Sequence, residues 1–185
     1  DELAHDLLSA FHWPDHPLGR PVSGYAETVA AMGYEDFRRF YSTWYKPANM
    51  VFAIAGNFDE EAVLRQVEDL FSGLSSGDTP QLDSAPSFQS GIKMVERPIS
   101  QTHIGIAMPG PSATDENRYV CNLLAGVLGG GGTSRLFEII REQEGLAYNV
   151  YAYHANHIST GMIGIYEAVA PPNCERALEL TFHEL

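Results

Sequence analysis

Residues Leu128–Val150, LGGGGTSRLFEIIREQEGLAYNV, hold the groups of this chain best suited to chemistry. Four consecutive glycines lead into a helix-patterned segment carrying Arg135 and Arg141, and a strand-patterned one opens at Tyr148, seven positions after Arg141. A glycine turn lets backbone pass close to a ligand. An arginine and a phenol converging on one point suit an anionic end group or a developing oxyanion. Composition alone supports a plainer alternative, in which Arg141 pairs with Glu138 and Tyr148 is a half-buried strand residue. The glycine run is not a phosphate loop, because Gly132 is followed by Thr133-Ser134-Arg135 without the lysine, and the preceding segment reads as helix rather than strand. A flexible hinge, or a helix N-terminal turn capped by Thr133 or Ser134, fits it better.

The elements that must position these groups are legible from periodicity. Leu136, Ile139 and Ile140 give the 134–143 helix its core face and leave Arg141 on another side, beside Phe137 and Glu138. Gly145 permits a sharp exit into the strand near Tyr148–Tyr153, and a further strand spans Gly161–Glu167. Ahead of the glycines lie strands near Ile92–Glu96 and Thr102–Met108, then a helix with Tyr119, Leu123, Leu124 and Val127 facing inward. Cys174, Ala177, Leu178, Thr181, Phe182 and Leu185 form one stripe of a last helix. Earlier in the chain, Leu3, Leu7, Ala10 and Phe11 open on a helix, and His12–Gly24 is a proline-punctuated loop. A short helix covers Ala26–Met32. Phe37, Phe40, Tyr41 and Trp44 make an aromatic stripe on a helix that Pro47 ends. Met50–Ala55 reads as a buried strand, and Asp59 caps a helix whose inner face is Val63, Val67, Leu70 and Phe71. Gly73–Gly91 is rich in Ser, Gly, Pro and Asp and reads as a linker. The class is α+β, with antiparallel-type sheets and helices packed on them.

The bulk composition narrows the function. The 185 residues suffice for one ordinary core or two small ones. Acidic residues number 24 against 11 basic, a net charge of −13, which argues against nucleic acid or an anionic membrane as partner. No apolar run is long enough to cross a bilayer. Cys121 and Cys174 fit no metal or redox spacing and read as buried small side chains in a reducing compartment. The sequence begins without methionine and stops at Leu185 without a helix breaker, so both ends are expected to be cuts in a longer protein.

The histidines do not make a metal motif. His12 and His16 have the spacing of the thermolysin-type H-E-x-x-H, but the glutamate is missing and Pro14 and Pro17 forbid a regular helix there. Structural roles are expected for these, for His5, and for His154 and His157 at a hairpin turn.

Three segments together resemble a known family. HPLGRPVSG (His16–Gly24), DFRRFYSTWYKPANMVFAIAGNFD (Asp36–Asp59) and GGGGTSRLFEIIREQEGLAY (Gly129–Tyr148) resemble the pitrilysin/insulinase family of zinc metallopeptidases, in the branch near mitochondrial processing peptidase and its bacterial relatives. The resemblance implies a LuxS/processing-peptidase-like metallopeptidase fold, with homologous α+β domains packed as a shell around a chamber for unfolded peptides. It also implies zinc bound by an inverted H-x-x-E-H motif and a distal glutamate, with the motif's own glutamate as general base. This chain has no H-x-x-E-H; its place is the family's inactive domain. By the resemblance, residues 1–73 are the C-terminal half of one domain, 74–91 the linker, and 92–185 the N-terminal half of the next.

The family's R-x-x-x-x-L-[GA]-Y pattern stands here as Arg141, Leu146, Ala147 and Tyr148, so the resemblance implies that Arg141 and Tyr148 support substrate in the transition state at a neighbouring zinc site. Gly130, Gly131 and Gly132 are the accompanying substrate-binding candidates. The expected function is a fragment of a zinc metalloendopeptidase that supplies scaffold and peptide-binding surface. It holds no cofactor itself, the zinc belonging to the parent or a partner chain. Alone it is expected to be inactive and to self-associate, and its expected setting is a bacterial cytoplasm. The alternatives are part of a non-catalytic partner subunit, or a generic α+β binding module.

Overall fold

The computed structural model describes residues 2–74, 77, 78, 80, 81 and 83–185. Part of the expected linker, namely Ser75, Ser76, Thr79 and Leu82, lies outside the described residues. The chain forms two compact units, Asp1–Ser23 with Ser84–Leu185, and Gly24–Asp83. These bounds describe contacts within this chain.

The first unit is built on a three-stranded antiparallel sheet ordered β1-β3-β2, with β1 at Thr102–Gly110, β2 at Ala147–Asn156 and β3 at Gly161–Val169. The central strand β3 is buried along its whole length, as expected of a strand covered on both faces. Its register with β1 runs without interruption from Thr102 opposite Val169 to Gly110 opposite Gly161. Helix α1 (Glu2–His12) packs on one face of the sheet, where Leu8 lies against Gly105 and His5 against Tyr151, Tyr153 and Tyr166. The other face carries the core. Leu128, Leu136, Ile140, Val150, Ile165, Val169 and Ala177 meet there, each buried side chain contributing roughly 1.5–3 kcal/mol for the larger aliphatics. Helices α5 (Arg118–Gly129) and α6 (Cys174–Glu184) and the π-helix Phe137–Gln143 supply the covering layer. The α+β class is borne out.

Helix α5 presents a different face to the sheet from the one its larger apolar residues suggest. Tyr119, Leu123, Leu124 and Val127, expected inward, are all exposed, Leu123 at 70%. The buried residues are Ala125, Leu128 and Gly129. Close approach decides this: a Cβ on Gly129 would stand 2.1 Å from the backbone nitrogen of Ala152, so only the small-residue stripe lets the helix lie against β2.

The second unit contains helices α2 (Ala26–Ala31), α3 (Tyr34–Trp44) and α4 (Glu60–Phe71). Asp59 caps α4 by accepting a hydrogen bond from the Ala62 amide at 2.9 Å, as its position before the apolar repeat requires. The aromatic stripe of α3 forms but is largely exposed at Phe37, Phe40 and Tyr41. Leu70, placed on the inner face of α4 by periodicity, is exposed too.

Two expected strands do not form. Met50–Ala55 and Ile92–Glu96 carry no strand, with Val51 94% and Ile92 91% exposed, and neither joins a ladder among the described residues. An apolar run becomes a strand only when a neighbour pairs its backbone groups.

Candidate functional site

The segment between α5 and β2 departs twice from regular geometry, and each departure places one candidate side chain. After Ser134 the chain makes a single α-turn and then winds as a π-helix over Phe137–Gln143. The Glu144 amide donates to the Ile139 carbonyl at 3.1 Å, a step of five residues. π-turns are rare and concentrate at functional positions. Leu136 and Ile140, both fully buried, anchor this segment in the core, and Arg141 follows on the solvent side with its side chain about one-third exposed. Gly145 then turns the chain with φ +63°, a conformation that favours glycine.

The second departure is a bulge in β2. Ala147 stands opposite Val169 and Asn149 opposite Ala168, so Tyr148 is the extra residue between them. A bulge releases its residue from the alternation of the strand and re-aims the side chain. Tyr148 is 77% exposed where its neighbour Ala147 is buried.

The two side chains meet. The Arg141 guanidinium carbon lies over the Tyr148 ring, 5.0 Å from its centroid, and over the Phe137 ring at 4.6 Å. The anticipated pairing with Glu138 does not occur. The carboxylate near Arg141 is that of Glu142, whose Oε1 is 3.8 Å from Nε, beyond hydrogen-bond range. The guanidinium therefore keeps its in-plane N–H groups for a ligand, and the exposed phenol adds an O–H donor beside it.

The glycine turn forms a separate feature. Gly130 and Gly131, with Leu123, Gly126, Val127, Thr133, Ser134 and Arg135, line an open depression of about 410 Å3. Gly132 does not line it, and a Cβ there would stand 3.8 Å from the Phe137 ring. The depression is bordered by Arg135, whose Nε donates to Glu184 at 2.5 Å, and Arg141 takes no part in its lining. The Ser134 hydroxyl donates to the Gly131 carbonyl at 2.6 Å and holds the turn closed.

The histidines are engaged in structure. His5 Nε2 lies 2.7 Å from the Tyr151 hydroxyl and Nδ1 3.1 Å from that of Tyr153. Burial lowers the His5 pKa and pushes that of Tyr153 up to about 12. The His12 Nδ1–H donates to the Gln89 carbonyl at 2.6 Å, and His154 Nε2 to that of Pro111 at 3.1 Å. His16 Nδ1 accepts from the Leu18 amide. Its Nε2 and the Trp13 Nε1 are enclosed without a hydrogen-bond partner among the described residues, and both residues border a smaller depression of about 210 Å3. Among the described residues no group of three or more His, Cys, Asp or Glu side chains is arranged to hold a metal ion.

One buried acid was not singled out by the sequence. Glu167 on β3 is fully buried, accepts a hydrogen bond from the Thr181 hydroxyl, and has its pKa raised by burial. Its position in the near-continuous apolar run of β3 was the available signal.

Comparison with known proteins agrees with this architecture. The family model described as the peptidase M16 inactive domain matches residues 31–185. The chain belongs to the peptidase M16 family. The pitrilysin/insulinase resemblance is thereby borne out. Among M16 relatives, an uncharacterized zinc protease of Streptomyces coelicolor is 35% identical over all of this chain and 42% of its own length. One of Bacillus subtilis is 32% identical over 90% of this chain and 40% of its own. The chain thus spans less than half the length of these relatives. A crystal structure of a peptidase M16 inactive domain from Pseudomonas fluorescens superposes with a TM-score of 0.90 at 24% identity, covering 98% of this chain and 45% of that one. A chain of the Candida albicans complex III2 structure gives 0.83 at 21% identity, covering 97% and 45%. The zinc implied by the names of these relatives finds no fitting group of His, Cys, Asp or Glu side chains among the described residues.

Proposed function

We propose that this chain is the substrate-side portion of a zinc metalloendopeptidase, with Arg141 and Tyr148 as the groups that meet the peptide. The observation that carries this reading is the guanidinium held over the Tyr148 ring by two backbone irregularities, in a family whose curated relatives are named zinc proteases. The zinc and its water belong to the remainder of the parent chain or to a catalytic partner. This chain's contribution is to bind an extended peptide and donate hydrogen bonds from Arg141 and Tyr148 to a carbonyl oxygen as negative charge develops on it. Such donation stabilises the transition state more than the ground state. Gly130 and Gly131, lining their separate depression, offer backbone surface for the same peptide.

The test is Arg141→Ala and Tyr148→Phe in the full-length protein assembled with its zinc-bearing chain or domain. The expected loss for Arg141→Ala is about 100-fold in kcat with little change in KM, the size of one removed oxyanion donor. Unchanged turnover in both variants would overturn the reading. The dispersed arrangement of His, Cys, Asp and Glu equally suits part of a non-catalytic partner subunit. An inverted zinc motif in the parent sequence separates the two readings, its presence favouring the peptidase and its absence the partner.

A further inference from the structure

We propose that Phe137 is a positioning residue for Arg141: its ring and that of Tyr148 together seat the guanidinium so that its edge faces the substrate. The proposal rests on the role assigned to Arg141 above and names what makes that role possible.

Three observations converge on it. The guanidinium carbon is 4.6 Å from the Phe137 centroid and 5.0 Å from that of Tyr148, both inside the range of cation–π attraction. Phe137 is itself anchored, being packed against the core cluster between the fully buried Leu136 and Ile140. Arg39, Arg135 and Arg176 are held differently, each binding a carboxylate at 3.3 Å or less, while Arg118 lies over a single ring, that of Tyr119 at 4.3 Å, and also donates to the Asp115 carbonyl. Arg141 donates no hydrogen bond among the described residues, and the Glu142 carboxylate stays 3.8 Å away. Its head group is therefore held by rings.

That distinction has a chemical consequence. A carboxylate partner occupies the in-plane N–H donors of a guanidinium and neutralises its charge. An aromatic partner occupies only its π-face and leaves both the donors and the charge available. A residue that must donate to an oxygen gaining negative charge needs the second kind of support. The π-winding matters here, since it carries Arg141 past the register that an uninterrupted α-helix would give it, while Phe137 at its first position remains tied to the core. Tyr148 then has two tasks, presenting its own hydroxyl and contributing a ring face to Arg141.

The experiment compares Phe137→Leu, which keeps an apolar core contact without a ring, with Phe137→Tyr, which keeps the ring. Both are made in the full-length protein with its catalytic partner, with arginine selectively labelled with nitrogen-15. In the unsubstituted protein the Arg141 Nε–H resonance should be displaced by the neighbouring rings. Phe137→Leu should move it toward the position of a free arginine and lower kcat about three-fold with KM nearly unchanged, as expected for a partly exposed cation–π contact. Phe137→Tyr should retain both the shift and the rate, which also guards against a folding defect in the leucine variant. An unmoved Arg141 resonance in Phe137→Leu, or an equal loss of rate in Phe137→Tyr, would overturn the proposal. If Arg141→Ala itself leaves kcat unchanged, the catalytic reading fails, while the resonance shift still reports whether Phe137 seats the guanidinium.

Discussion

The guanidinium carbon of Arg141 stands 5.0 Å from the ring centroid of Tyr148, so a π-wound segment and a strand bulge share one cation. Ring and hydroxyl of Tyr148 should be separable by substitution. Tyr148→Phe keeps the ring face and should preserve the displaced Arg141 resonance while removing the donor. Tyr148→Leu should abolish both, and lower turnover of the full-length assembly by a further two- to five-fold, about the worth of an exposed cation–π contact. Parallel NMR and steady-state kinetics on the two variants check this.

The glycines of the turn should divide into structural and permissive ones. Gly129→Ala would force a Cβ to 2.1 Å from the Ala152 nitrogen, and is expected to cost about 1–3 kcal/mol by overpacking. At Gly131 a Cβ meets nothing within 4 Å, so Gly131→Ala should leave the thermal midpoint within about 1–2 °C of the parent, as substitutions free of steric conflict do. Thermal unfolding followed by circular dichroism reads both.

Glu167 gives a pH signature of definite sign. Burial raises its folded pKa above the usual 4.5, so the folded state holds the proton more tightly than the unfolded state. The stability this contributes is complete below the unfolded pKa and is lost as pH rises through the folded value. Glu167→Gln, which still accepts from Thr181, should raise the midpoint at pH 8 by about 2–4 °C and change it little at pH 4. Equal effects at the two pH values would refute the assignment.

His5 acts in the opposite direction. Its folded pKa is lowered by burial from 6.5, so the neutral ring between Tyr151 and Tyr153 is the stable form. Its contribution is present above pH 6.5 and falls away as pH drops through the depressed value. Between pH 7 and pH 5 the parent chain should lose more stability than His5→Gln, as denaturant titrations at the two pH values would show.

The exposed row of α5 should drive association. Tyr119, Leu123 and Val127 lie at successive turns and all face solvent in this chain, and contiguous apolar surface of this kind favours contact with other protein. Light scattering on the concentrated chain should detect self-association, and Leu123→Lys should weaken it without lowering the thermal midpoint.

Much of this molecule is written locally. The alternation and punctuation of the sequence determined the three strands that pair, the Asp59 cap, the proline stop after Trp44 and the glycine exit at Gly145, because each depends on residues within one or two turns of it. The proximity of Arg141 to Tyr148 was legible as well, from a short pattern spanning a helix, a turn and a strand. Which face of α5 turns inward was not. Two stripes of helical spacing compete there, and the winner depends on how closely β2 approaches Gly129, a distance set by residues more than twenty positions away. Met50–Ala55 and Ile92–Glu96 have strand composition, yet pairing belongs to two segments at once and neither has a ladder partner among the described residues. The bulge at Tyr148 arises from the register between β2 and β3, and the π-winding over Phe137–Gln143 is a departure that helical periodicity does not register. The sequence by itself determined that Arg141 and Tyr148 come together. Only the tertiary structure decided how they are aimed, because aim is set by packing and register between distant segments.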